Sequence, residues 1–201
     1  MHLLKLIEIM AILVGAFSGF IEARRKRMDL VGVFTVAFIA AFGGGTLRDI
    51  LLDKRPLFWV IHQEYAILIF VLALVASPLI RTMRHMVTER LIVIADAFGL
   101  GLFSVAGVSS ALDAGMPLFI ASMMGVITGI FGGVLRDIVC NEVPMVFRDG
   151  KPYALCAFIG NWIFLLMGLY GMDKDIALWS SALFIVVSRL VAWKFDLTLG
   201  R

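Results

Sequence analysis

Reactive and ionisable side chains are scarce in this chain. Two cysteines, Cys140 and Cys156, with no CxxC spacing, exclude a disulfide framework and a clustered zinc site. Three histidines, His2, His62 and His85, fall at the terminus or in connectors, so no Ser-His-Asp or paired-His arrangement forms and no enzyme is expected. No Walker-type loop is present, which excludes a direct ATP drive, and nothing calls for a cofactor. Charged residues make up 16% of the 201, well below the roughly 25% of soluble domains. What fills the space is apolar: 61% hydrophobic residues and a mean hydropathy of +0.99 exclude a soluble domain and predict an all-α integral membrane protein.

A bilayer core of about 30 Å takes roughly 20 helical residues per crossing. Apolar segments near 3–22, 29–52, 64–80, 90–112, 116–140, 153–171 and 175–194 therefore predict seven transmembrane helices in a single membrane domain over 1–201. The first segment ends in Arg24, Arg25, Lys26 and Arg27, an anchor and not a leader to be cleaved. Alternate connectors divide the basic residues unequally. One face takes 11, namely Arg24, Arg25, Lys26, Arg27, Arg81, Arg84, Arg90, Arg148, Lys151, Lys194 and Arg201, and the other takes Lys5, Lys54, Arg55 and Lys174. By the positive-inside rule the first face is cytoplasmic, with the N-terminus outside and the C-terminus inside a cell (inner) membrane. The same bias accounts for the net charge of +3 without a nucleic-acid partner.

The chain also repeats itself. Residues 43–56 and 131–144, offset by 88, share 7 of 14 positions, among them the run Gly-Gly-x-Leu-Arg-Asp-Ile. Chance gives roughly one match. The same offset pairs Gly19 with Gly107 and Glu8 with Asp96. Three spans per copy make the two copies inverted: repeat one over about 1–87, repeat two over about 88–174, and an extra helix over about 175–194. Inverted repeats recur in transport proteins, with a site near the midplane built from interrupted helices.

Spans 2 and 5 carry the elements expected to build such a site. Gly43, Gly44 and Gly45, and Gly132 and Gly133, predict a break or bend deep in each span, because three glycines in a row cost about 3 kcal/mol of helix propensity. Close helix packing is the plainer role for the same residues. Arg48 and Asp49, and Arg136 and Asp137, follow at equivalent places. Neighbours diverge by about 100° on a helix, so each Arg is expected to reach across to another element and not to its adjacent Asp. Glu8 and Asp96 are candidate pore acids that would favour cations if they face the interior, or helix-start residues stabilised by the macrodipole. Arg189, near the end of the last span, is expected to snorkel to the interface. Arg24, Arg25, Lys26, Arg27, Arg81, Arg84 and Arg90 form a candidate patch for anionic lipid headgroups. Gly99, Gly101, Gly107, Gly125 and Gly129 serve packing, either inside the chain or between copies.

Seven spans, two inverted three-helix repeats with a terminal seventh, and Gly-Gly-x-x-Arg-Asp in spans 2 and 5 resemble the bacterial branch of the trimeric intracellular cation channels, the TRIC family. The resemblance covers essentially the whole chain. It implies a homotrimer with a pore in each protomer lined by kinked spans 2 and 5, and conduction of monovalent cations, chiefly potassium. By resemblance Gly43, Gly44, Gly45, Arg48 and Asp49, with Gly132, Gly133, Arg136 and Asp137, occupy the motif positions. Phe131 stands where the first repeat has Gly43, a departure that implies a tighter second break. Some bacterial relatives are associated with glycine uptake, so a small amino-acid transporter is the alternative. A broken helix offers N–H groups to a carboxylate and carbonyls to a cation, which suits a zwitterion as well.

Overall fold

A computed structural model of the chain describes residues 2–82, 89–148 and 150–198. Among these the secondary structure is entirely helical: α1 (His2–Arg25), α2 (Leu30–Leu51), a short α3 (Phe58–Ile61), α4 (Gln63–Thr82), α5 (Glu89–Asp113), α6 (Leu118–Val139), a 3₁₀ turn at Met145–Phe147, α7 (Tyr153–Leu169) and α8 (Lys174–Lys194). Five helices are long and apolar enough to cross a membrane (within α1, α2, α5, α6 and α8), and two shorter apolar stretches lie in α4 and α7. The chain is a multi-pass membrane protein. The turn of helix α3 has no counterpart among the expected segments.

Helix ends follow local chemistry. Asp29 caps α2 by accepting the Gly32 N–H at 2.8 Å, and Asp173 caps α8 by accepting from Asp175 and Ile176. Pro117 and Pro152 stand just before α6 and α7, where a missing N–H costs no helical bond. After α2 and α6 the chain turns through left-handed residues, Asp53 (φ 51°) and Asn141 (φ 54°), again 88 apart. The amides that follow close the helix ends, Lys54 N–H onto Asp49 O at 2.8 Å and Glu142 N–H onto Asp137 O at 2.9 Å.

Helices α1, α2, α5 and α6 make the centre, with α4 and α3 against α2, and α7 and α8 against α5 and α6. One apolar cluster joins α1, α2 and α4 through Ile12, Phe20, Val36 and Ile69. A second joins α5 to α8 through Leu100, Val105, Leu178 and Ile185. The outward faces of α4 and α8, with Phe70, Val75, Leu183 and Val187, are apolar and exposed, as surfaces solvated by acyl chains are.

Of the break or bend expected in spans 2 and 5, the break is not present: α2 stays helical through 43–45 and α6 through 131–133. Backbone groups freed in a membrane need internal partners, and the unbroken helix supplies them. The glycines bring helices together instead. A Cβ on Gly44 would strike the carbonyl oxygen of Thr128, and one on Gly132 would lie 2.6 Å from the carbonyl oxygen of Ala40. Since 44 and 132, and 40 and 128, are each 88 apart, the α2–α6 contact is reciprocal, as across a two-fold axis. Gly19 against Ala37 and Gly107 against Gly125 repeat the pattern for α1–α2 and α5–α6. Gly101 and Gly129 also meet this chain's own atoms, Ala182 O and Leu100 O, whereas a Cβ on Gly99 would meet nothing within 4 Å.

Candidate functional site

The two Arg-Asp elements sit in the last turns of α2 and α6, where a guanidinium complements the helix carbonyls. Arg48 and Arg136 are 6% and 1% exposed, Asp49 and Asp137 3% and 5%. Contrary to expectation, each Arg pairs with its own neighbour. Arg48 Nε donates to Asp49 Oδ1 at 2.9 Å, and Arg136 Nε to Asp137 Oδ1 at 2.9 Å. The helical-wheel expectation treats side chains as short spokes, but an arginine is long enough to fold back along the helix end. The second Asp oxygen reaches past the helix in both copies: Asp49 Oδ2 accepts the Phe58 N–H and Asp137 Oδ2 accepts the Met145 N–H, each at 2.9 Å. Each aspartate thus ties its arginine to the connector that follows.

The expected reach across elements is also present, to the paired acids. Arg48 Nη1 lies 3.8 Å from Glu8 Oε1, and Arg136 Nη2 lies 3.3 Å from Asp96 Oδ1. The two clusters then diverge. Arg136 Nη1 donates to Ser18 Oγ at 3.1 Å, whereas the second repeat's equivalent of Ser18, on the Arg48 side, is Ala106. Tyr153 O–H donates to Asp96 Oδ2 at 2.5 Å. Its equivalent, Tyr65, stacks on Phe58 at 6.1 Å between ring centroids and has no such bond to Glu8 among the described residues. The Arg136 cluster is the tighter one. Glu8 and Ser18 lie ten residues apart on α1, so the clusters are separated by about 15 Å along the helix axis.

Tyr153 carries a test of this difference. Tyr153→Phe leaves a buried carboxylate oxygen short of its donor and is expected to cost about 1–3 kcal/mol. Tyr65→Phe is expected to change stability by less than about 0.5 kcal/mol. Thermal unfolding of both variants in detergent measures the contrast.

Arg189 does not snorkel. It is 3% exposed, its guanidinium lies 4.5 Å from the centre of the Tyr153 ring, and its Nε and Nη1 are buried with no hydrogen-bond partner among the described residues. The helix register, not reach to the interface, decides this: α8 packs on α5 and α7 and turns position 189 inward.

Each cluster borders a cavity. At the Arg136 end a cavity of about 320 Å³ is lined by Glu22, Arg25, Arg90, Arg136, Asp137, Glu142, Arg148, Lys151 and Arg189, with apolar Ile92, Val93, Met145 and Trp193. At the Arg48 end a much smaller cavity of about 20 Å³, enough for one water, lies among Glu8, Gly45, Thr46, Arg48, Phe58, Trp59 and Ala106. The two share no lining residue, and the glycine crossing of α2 and α6 lies between them.

Sequence reasoning brought out the arginines, aspartates and paired acids, and missed the residues that tie the connectors. Lys54 Nζ donates to Ser110 O at 2.9 Å and Ser110 Oγ at 2.8 Å, and burial pushes its amine below the ordinary lysine value. At the other end Glu142, the equivalent position, accepts from Lys26 Nζ at 2.5 Å, Arg25 Nη2 at 3.0 Å and Arg148 Nη2 at 2.8 Å. Arg25 and Lys26 of the candidate headgroup patch are thus engaged within the chain. Arg84 lies outside the described residues, as does the side chain of Arg81. The shared offset of Tyr65 with Tyr153 and of Lys54 with Glu142 was the available signal.

The Lys26 ammonium, then Arg25, hold the Glu142 carboxyl down to about 2. A carboxyl depressed in the folded state contributes stability above its ordinary value near 4.5, and that contribution disappears as pH falls toward 2. Amide exchange across 140–148, corrected for its intrinsic pH dependence, is expected to hold steady from pH 7 to 5 and to quicken below. Glu142→Gln is expected to show the faster exchange already at pH 7.

Comparison with known proteins places this arrangement. The family model described as Glycine transporter matches twice, at residues 5–81 and 93–168, segments that begin 88 apart. A UPF0126 membrane protein of Vibrio cholerae is 35% identical over 98% of this chain and 82% of its own length. The UPF0126 inner membrane protein YadS of Escherichia coli K12 is 37% identical over 77% and 74%. Among solved structures, the trimeric intracellular cation channel orthologue of Rhodobacter sphaeroides superposes with a TM-score of 0.90 at 30% identity, covering 98% of this chain and 100% of that one. A second TRIC cation channel superposes at 0.85 and 32% identity, covering 98% and 96%. Family model, relatives and architecture agree: the chain belongs to the TRIC family, in the bacterial branch that the Glycine transporter model describes.

Proposed function

We propose that the chain is a cation channel that passes monovalent cations, potassium foremost, along a path inside each protomer of a homotrimer. The observation that carries this reading is the pair of buried Arg-Asp clusters, each with its own acid, facing cavities at the two ends of the α1, α2, α5 and α6 core. Lipid does not solvate such groups, which face cavities or one another in membrane proteins. The reciprocal α2–α6 contact supports an inverted pairing of the two repeats, each contributing one end of the path. The likeness to solved TRIC cation channels supports the ion and the trimer.

The positive-inside bias supports an N-terminus outside and a C-terminus in the cytoplasm, and YadS, an inner membrane protein, supports that location. The basic residues left on the Arg25 face, Arg24, Arg27 and Arg90, remain a surface for anionic headgroups.

The description of the matching family model favours a second reading, glycine transport, in which the same cavities take a zwitterion. Purified protein in planar bilayers and in liposomes separates the two. Stepwise potassium current is expected; uptake of labelled glycine without current would replace the channel by a carrier.

A further inference from the structure

We infer that Arg189 sets the electrostatic barrier to cations at the Arg136 end and so makes conduction asymmetric. This rests on the channel reading above. Arg189 belongs to α8, outside the duplicated segments, so the Arg48 end has no equivalent. Asp96 and Asp137 face Arg136, with Arg189 held on Tyr153 beside them, whereas Glu8 and Asp49 face Arg48, with Lys54 on the connector that follows α2.

The guanidinium is held by the Tyr153 ring at 4.5 Å, with Tyr153 fixed in turn on Asp96. Two of its nitrogens are buried without a hydrogen-bond partner among the described residues, and the residue borders the cavity of about 320 Å³. Around the same cavity Arg25, Arg90, Arg148 and Lys151 add to the Arg189 charge, against Glu22, Asp137 and Glu142. A net positive vestibule lowers the local concentration of cations entering from that side.

Single-channel recording in symmetric KCl reads this directly, since each channel reports its own orientation. At 0.1 M KCl the wild type is expected to pass about threefold more current in one direction than in the other. In 1 M KCl, where the screening length falls to about 3 Å, the ratio is expected to approach one. Arg189→Gln is expected to lower the ratio at 0.1 M, and Arg189→Lys to preserve it even if stability falls. A purely structural role predicts equal loss of stability in Gln and Lys variants and no change of ratio. Should the Gln variant fail to fold, Arg189→Met, with an apolar side chain on the Tyr153 ring, is expected to give the same fall in the ratio. A wild-type ratio of one at 0.1 M, or a ratio unchanged in the neutral variants, overturns the inference while leaving the channel intact. Absence of any current removes both.

Discussion

Replacing Arg136 by alanine is expected to cost about 3–5 kcal/mol of folded-state stability, the largest effect of any single change in the protein. The side chain is 1% exposed and gathers Asp137, Asp96 and Ser18 around one guanidinium. Its removal leaves two carboxylates in a low-dielectric interior with Arg189, held on the Tyr153 ring, as the remaining cation beside them, which is the costly way to break a buried pair. Thermal unfolding in detergent measures this, with a fall in midpoint on the order of 10 °C. Arg136→Lys is expected to recover only part of the loss, because an ammonium cannot reach Nε and Nη partners in the plane of a fork. Arg48→Ala is expected to cost less. Its contact with Glu8 is 3.8 Å and Glu8 is partly exposed, so water takes over part of the solvation.

Gly44→Ala is the second large effect. The added methyl points at the Thr128 carbonyl, backbone against backbone, so no flexible side-chain tip yields and the α2–α6 crossing must open. Overpacking of this kind costs about 1–3 kcal/mol, and the reciprocal change, Gly132→Ala, meets Ala40 in the same way. Gly45→Ala provides the control. Its methyl would find only Arg48 Nη2 at 3.9 Å, an ordinary contact, and is expected to change stability by less than about 0.5 kcal/mol. Because the crossing separates the two cavities, Gly44→Ala is also expected to alter unitary current. Equal unfolding temperatures for the two variants would contradict the packing role of Gly44.

Much of this was legible in the sequence because the duplication states each feature twice. The long apolar runs matched the observed helices closely, and Glu8 and Asp96, paired by offset alone, do meet Arg48 and Arg136. The helix breaks were not there because propensity measured in water misjudges glycine inside a membrane. In lipid, a continuous helix is the cheapest way to satisfy the backbone, and glycine's small size is repaid by close packing. The Arg-Asp pairing was missed for a geometric reason, since the angle between neighbouring Cβ atoms says little about where a long side chain ends. Arg189 and Glu142 owe their roles to helices that meet only in three dimensions, α8 on α5 and α7 and the α6 connector on the end of α1. No spacing along one helix encodes such meetings.

The proposed cation path runs through the protomer from Glu8 and Asp49 at one end to Arg136 and its cavity at the other. The reversal potential of the purified protein in a planar bilayer under a tenfold KCl gradient tests it most directly. Reversal close to the potassium equilibrium potential, moving toward zero in Glu8→Gln, is the expected result. Reversal at zero or at the chloride potential in the wild type would contradict it.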